Sequence, residues 1–211
     1  MSKNIKNYLL FILSLAVMGF GIALVTKSGL GTSAVSSVPY VLSKVFPKYT
    51  FGMFTFAINM LYYLIQIIIL RKDFPKSQYL QIIVGPFLGF FIDLSMSILS
   101  NLNLDIYLLQ LLILVIGCFI VAYSIWLQLL ANVVINPTEG IVKVLSDKLN
   151  IVFSSMKTYF DIFLVIASCL ISYIGLSQIV GVREGTLISA FLVGYFIRLI
   201  NKIVGRDKNV K

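Results

Sequence analysis

The sequence predicts an all-α membrane protein: six transmembrane helices arranged as two inverted three-helix repeats, each with a short re-entrant or interfacial helix. Three observations predict it. Hydrophobic residues make up 59% of the 211-residue chain and charged residues only 12%, about half the charged share of a soluble domain, and the mean hydropathy is +1.00. Such a chain cannot cover its apolar surface in water, which excludes an ordinary soluble enzyme, a disordered chain and a disulfide scaffold. The charges lie between long apolar runs, and the order of those runs repeats once.

The first run, Tyr8 to Thr26, carries no charge over 19 residues. As a helix it reaches about 28 Å at about 1.5 Å per residue, enough to cross the hydrocarbon layer. Lys3 and Lys6 ahead of it resemble the start of a signal peptide, but no small-x-small cleavage site followed by a soluble domain appears, and further apolar runs follow instead. The run therefore reads as a retained first span over about 8–26. A short helix over 33–46 comes next, with Ser33, Ser36 and Ser37 as candidate caps and Pro39 blurring its start. Spans over about 49–70 and 78–99 complete a first repeat, residues 1–104. The second repeat, 105–211, holds spans over about 107–130, 152–174 and 186–204 and a short helix over 137–149. Runs of this length satisfy their own backbone hydrogen bonds only as helices, whereas segments near 13 residues are too short to span. The start of the second short helix is the clearest in the chain. Asn136 can cap it, Pro137 suits its first position and Glu139 stands where a capping-box acid would. Ile141, Leu145 and Leu149 then form one apolar stripe.

The net charge of +9 reads as topology rather than as a nucleic-acid partner. With the N-terminus inside, 13 basic residues fall on the cytoplasmic side and 4 outside (Lys27, Lys44, Lys48 and Arg183). That is a positive-inside bias, and letting the short segments span weakens it. The expected setting is a multi-pass plasma-membrane protein with both termini cytoplasmic, in contact with the lipid bilayer.

Sliding the chain by 103 residues superposes Ile22 on Ile125, Leu24 on Leu127 and Val41-Leu42-Ser43 on Val144-Leu145-Ser146. A slide of 105 superposes Gly89 on Gly194, Phe91-Ile92 on Phe196-Ile197 and Leu94 on Leu199. Three spans per half is an odd number, so the halves face opposite ways, an architecture common among secondary transporters. Several motifs also carry a family likeness: Gly19-Phe20-Gly21-Ile22-Ala23-Leu24, Ser28-Gly29-Leu30-Gly31-Thr32, Asn136-Pro137-Thr138-Glu139-Gly140, and Gly185-Thr186 leading into Gly194. Through them the chain resembles the YczE/YitT family of small bacterial integral membrane proteins. That resemblance implies a small multi-spanning plasma-membrane protein and supplies no catalytic residues.

Charges within a bilayer are costly and mark candidate sites. Asp161 lies near the centre of the fifth span, and its repeat counterpart Asn59 near the centre of the second. A polar pair from the two halves is where a transporter holds its substrate. Asn132, Asn136, Glu139, Ser28 and Thr32 join them as candidate substrate-binding residues, because they flank the short helices. Gln66 and Gln128 are further polar residues on spans. Asp93 and Arg198 occupy equivalent repeat positions with opposite charge and are read as structural or ion-pairing, although snorkelling suits Arg198 better than reaching Asp93. Lys157 stands one turn before Asp161, where an i,i+4 pair is the simplest account. Gly19, Gly21, Gly85, Gly89 and Gly194 read as close-packing points. Cys118 and Cys169 lie inside spans and read as packing residues.

Histidine is absent, which removes most zinc and triad chemistry. No catalytic residue, metal or cofactor is expected. The leading expectation is a permease for an unknown small molecule. The alternative is a non-transporting accessory or substrate-binding subunit, which could use the basic loop from Arg71 to Lys76 to dock in a complex, and a homo-oligomer is compatible with either.

Overall fold

The computed structural model describes residues 5–102 and 104–204. Lys3, Arg206, Lys208 and Lys211, which contribute to the charge bias, lie outside the described residues. Among the described residues eight α-helices follow one another: α1 (Ile5–Lys27), α2 (Ala34–Val45), α3 (Phe51–Leu70), α4 (Gln81–Ile98), α5 (Tyr107–Ala131), α6 (Pro137–Leu149), α7 (Phe153–Leu176) and α8 (Glu184–Ile203). Two 3-10 turns, Arg71–Asp73 and Lys76–Leu80, join α3 to α4. No strand occurs among the described residues. Six of the helices, all but α2 and α6, are long and apolar enough to span a membrane.

The centre is an α1–α5 pair. Gly21 sits against Val121 and Gly117 against Val25, so the two helices run antiparallel. A Cβ at either glycine would come within 2.9 Å of the facing backbone nitrogen, which is why the helices can approach so closely only there. α4 packs on α1, and α8 packs on α5. The short helices are enclosed rather than laid on the surface: α2 packs on α7 and α3, and α6 on α3 and α7. Val38 of α2, Ile141 of α6, Tyr62 of α3 and Leu164 of α7 close a common apolar core. Outward faces carry large apolar side chains such as Ile68, Phe90, Leu108, Phe163 and Phe191. Surfaces this apolar need lipid as their solvent, and the chain is a multi-pass membrane protein.

The α3–α4 interface is the tightest of the peripheral contacts. Gly52 faces Gly89 so closely that a Cβ on Gly89 would lie 2.5 Å from the Gly52 carbonyl oxygen. Gly194, read from sequence as a similar contact point, meets nothing within 4 Å of its Cβ position. Its helix α8 packs on α5 but makes no interface with α7 to match the one between α4 and α3. A small residue permits close packing without supplying the partner.

Candidate functional site

The polar centre of the molecule forms around the start of α6. Asn132 ends α5 in the left-handed region (φ 47°), a conformation that suits asparagine, and its N–H donates to the Gln128 carbonyl at 3.0 Å. Asn132 is exposed, so it serves as a helix stop rather than as part of the cluster. The chain then turns inward, with Val133 and Val134 packed among Phe11, Leu15 and Val84. Asn136 is buried and caps α6, accepting the Thr138 N–H at 3.4 Å. Pro137, which has no N–H, occupies the first helical position. Glu139 does not complete the capping box; the paired Asn136–Glu139 bonds are not made.

One face of α3 receives this helix start. Thr55, Asn59, Tyr62 and Gln66 recur at three- and four-residue spacing, and all four are buried, so a single polar ridge points inward. Asn59 accepts from the Thr138 hydroxyl at 3.4 Å and donates to the Thr55 carbonyl at 2.9 Å. Two turns on, Gln66 donates to the Pro137 carbonyl at 3.1 Å and to Gln81 Oε1 at 3.1 Å. Gln81 returns a bond to Gln66 Oε1 at 3.3 Å. Gly140 makes room for the Gln66 amide, since a Cβ there would sit 2.5 Å from its Oε1. Gln128 and Asn136 both direct their amide nitrogens to the sulfur of Met18, at 3.5 and 3.8 Å. Gln81 and the Gln66–Gln81 pairing escaped the sequence reading. The signal for Gln66 was its seven-residue spacing from Asn59.

Beside this amide cluster lies a charged one. Lys157 donates to Asp161 Oδ1 at 2.5 Å, both side chains about one-quarter exposed, as the i,i+4 spacing indicated. Glu139 lies within electrostatic reach of both. Its Oε2 is buried and has no hydrogen-bond partner. Burial pushes its carboxyl above the usual carboxylate range, Lys157 and a backbone hydrogen bond at Glu139 itself oppose this, and Asp161 adds to it. Asn59 and Asp161 thus do not bond to one another. Asn59 meets the start of α6 through Thr138, whereas Asp161 is bonded to Lys157 within α7.

Ser28 and Thr32 build the turn before α2. Ser28 donates to the Val25 carbonyl at 2.7 Å and accepts the Leu30 N–H at 3.3 Å, so both roles of its hydroxyl are used by the turn. Thr32 donates its N–H to Gly181, and Leu30 accepts from Gly185, at 2.9 and 2.8 Å. Gly31 stands at φ 113° against Thr186, a position open to glycine alone. Ser33 caps α2. Thr32, Gly29, Gly31, Tyr40, Gly181 and Arg183 line a cleft of about 220 Å³. A second cleft, about 350 Å³, lies among Tyr40, Lys44, Thr50, Asp93 and Ser97. Neither is lined by Asn59, Glu139 or Asp161.

Asp93 and Arg198 do not pair. Asp93 reaches from α4 to the start of α3, accepting the Thr50 hydroxyl and, at 2.7 Å, the Gly52 N–H. A carboxylate suits a helix N-terminus through both hydrogen bonding and the helix dipole. Arg198 is exposed on α8. Replacing Asp93 by alanine is expected to cost about 1–3 kcal/mol by stranding the Gly52 N–H, read as a lowered Tm, with asparagine retaining part of the loss.

Six candidate spans, two enclosed short helices and a buried polar centre among the described residues define a multi-pass α-helical membrane protein. The chain belongs to a family of unknown function, DUF6198, whose model matches residues 5–202. No curated protein and no solved structure matches it.

Proposed function

We propose that this protein is a small-molecule permease of the plasma membrane, with its termini cytoplasmic and its solute site at the enclosed start of α6. The observation that carries the reading is the convergence of Asn59, Thr138, Gln66 and Gln81 on that start, next to Glu139 and the Lys157–Asp161 pair. Amide and hydroxyl groups in this arrangement suit a small polar solute that exchanges hydrogen bonds with them. An inverted repeat is supported by packing that recurs between the halves: α1 on α4 and α5 on α8, α2 on α7 and α6 on α3, α2 on α3 and α6 on α7. In a two-fold arrangement of this kind, substrate sites form near the midplane where the repeats meet.

Flux tests this directly. Proteoliposomes loaded against sugars, amino acids and nucleosides are expected to reswell faster than protein-free vesicles for at least one class, with Asn59→Leu losing most of the difference. No class exceeding protein-free vesicles would contradict transport. The accessory-subunit reading draws on the exposed Arg71, Lys72 and Lys76 between α3 and α4, a basic surface that a partner could dock on; it becomes the better account if flux is absent and a stable complex is isolated.

A further inference from the structure

We infer that Glu139 is the residue at which this protein takes up a proton, with Lys157 as an ammonium shared between Glu139 and Asp161. Its role as coupling ion rests on the permease reading; the proton site itself does not.

The cluster offers one ammonium to two carboxylates. Lys157 is committed to Asp161 at 2.5 Å, and Glu139 Oε2 is left buried without a donor. A buried carboxylate in that state is costly unless it is neutralised or paired. Two routes relieve it: water delivers a proton to Glu139, or Lys157 leaves Asp161 and pairs with Glu139. The elements packed against α6 limit the other participants. α7 supplies Lys157 and Asp161, α3 supplies Tyr62, whose ring meets Phe160 next to Asp161 in the chain, and α4 supplies the uncharged Gln81 at this contact. On α6 itself Lys143, one turn further on, is exposed. Burial is the largest influence on the Glu139 carboxyl and raises its pKa from the ordinary 4.5. The anchored start of α6 gives the switch a mechanical connection, because Thr138 and Pro137, the two residues before Glu139, are the ones held by Asn59 and Gln66.

The sign of the pH dependence follows. A carboxyl whose pKa is raised by folding binds more protons in the native than in the unfolded state, between its ordinary value and its raised one. Its stability contribution is complete at acid pH and is lost as pH rises through that window. Thermal unfolding of the full chain in nanodiscs, stepped from about pH 5 to 8.5, is therefore expected to show a Tm that falls with pH in a window that Glu139→Gln flattens. An unchanged slope in Glu139→Gln would overturn the proposal. Should that variant not fold, infrared titration of wild type against Asp161→Asn decides. Freeing Lys157 for Glu139 is expected to move the carboxyl titration to lower pH, and an unmoved titration would overturn the proposal. A shifted titration without solute flux would leave the proton site standing and remove the permease reading; flux with unchanged titrations would do the reverse.

Discussion

Alanine at Gly89 is expected to destabilise the protein, whereas alanine at Gly194 is expected to leave it as stable or slightly more so. The two positions correspond under a slide of 105 residues, and both lie inside helices, so both gain the helix-propensity advantage of alanine over glycine, about 1 kcal/mol. They differ in what the new methyl meets. At Gly89 it would lie 2.5 Å from the Gly52 carbonyl oxygen, and at Gly194 it meets nothing within 4 Å. The obstacle at Gly89 is backbone, which cannot change rotamer, so relief requires α3 and α4 to move apart. That movement would also pull the Asp93 carboxylate from the Gly52 N–H, now 2.7 Å away. The difference between the variants isolates the clash, about 1–3 kcal/mol for overpacking, and thermal unfolding in one detergent measures it. Equal Tm values would mean that α3 and α4 are not packed as described.

Gln66→Leu is expected to be the most damaging change in the polar centre. Leucine fills similar space, so the loss is chemical rather than a cavity. It leaves Gln81 Oε1 without the donor it has at 3.1 Å and removes the second donor of the Pro137 carbonyl, which keeps its bond within α6, while the Gln81 amide nitrogen keeps Gln78 Oε1 at 2.9 Å. Each buried group left without a partner costs about 1–3 kcal/mol. Changing Gln81 to leucine as well removes the stranded oxygen, so the double variant is expected to recover part of the loss. Hydrogen exchange is expected to rise first over 137–142, because the start of α6 loses its anchor to α3 while its bond from Thr138 to Asn59 remains. Exchange rising equally over all helices would mean global unfolding instead of local release.

The spans were legible because cost forces them to be. Charges in lipid are expensive, so uncharged runs such as Ile106 to Thr138 announce their own function. The start of α6 was legible for a local reason, since an Asn-Pro pair at a helix start needs only its own neighbours. The Lys157–Asp161 bond was readable for the same reason, being set by one helix turn. What could not be read is what depends on how one helix rotates against another. Gln66 and Gln81 are 15 residues apart on different helices, and nothing local says that their amides meet. A structural role for Asp93 could be argued from the cost of pairing it with Arg198, but its partners could not, because they lie across a helix contact at Thr50 and Gly52. Gly194 failed in the same way: its size was visible, and the empty space beside it was not. The side-chain constellation therefore had to come from packing, even where every member of it stood in plain view.

Access to the start of α6 tests the central claim most directly. Thr138 is 3% exposed and bonded to Asn59, so a reagent can reach it only if the site opens. With Cys118 and Cys169 replaced by alanine, a single cysteine at position 138 should be labelled by a membrane-impermeant thiol reagent. The reagent is applied to right-side-out and, separately, to inside-out vesicles. Alternating access predicts labelling from both faces, with each rate changed by the solute that the flux assay identifies. Labelling from one face only, or from neither, would contradict it.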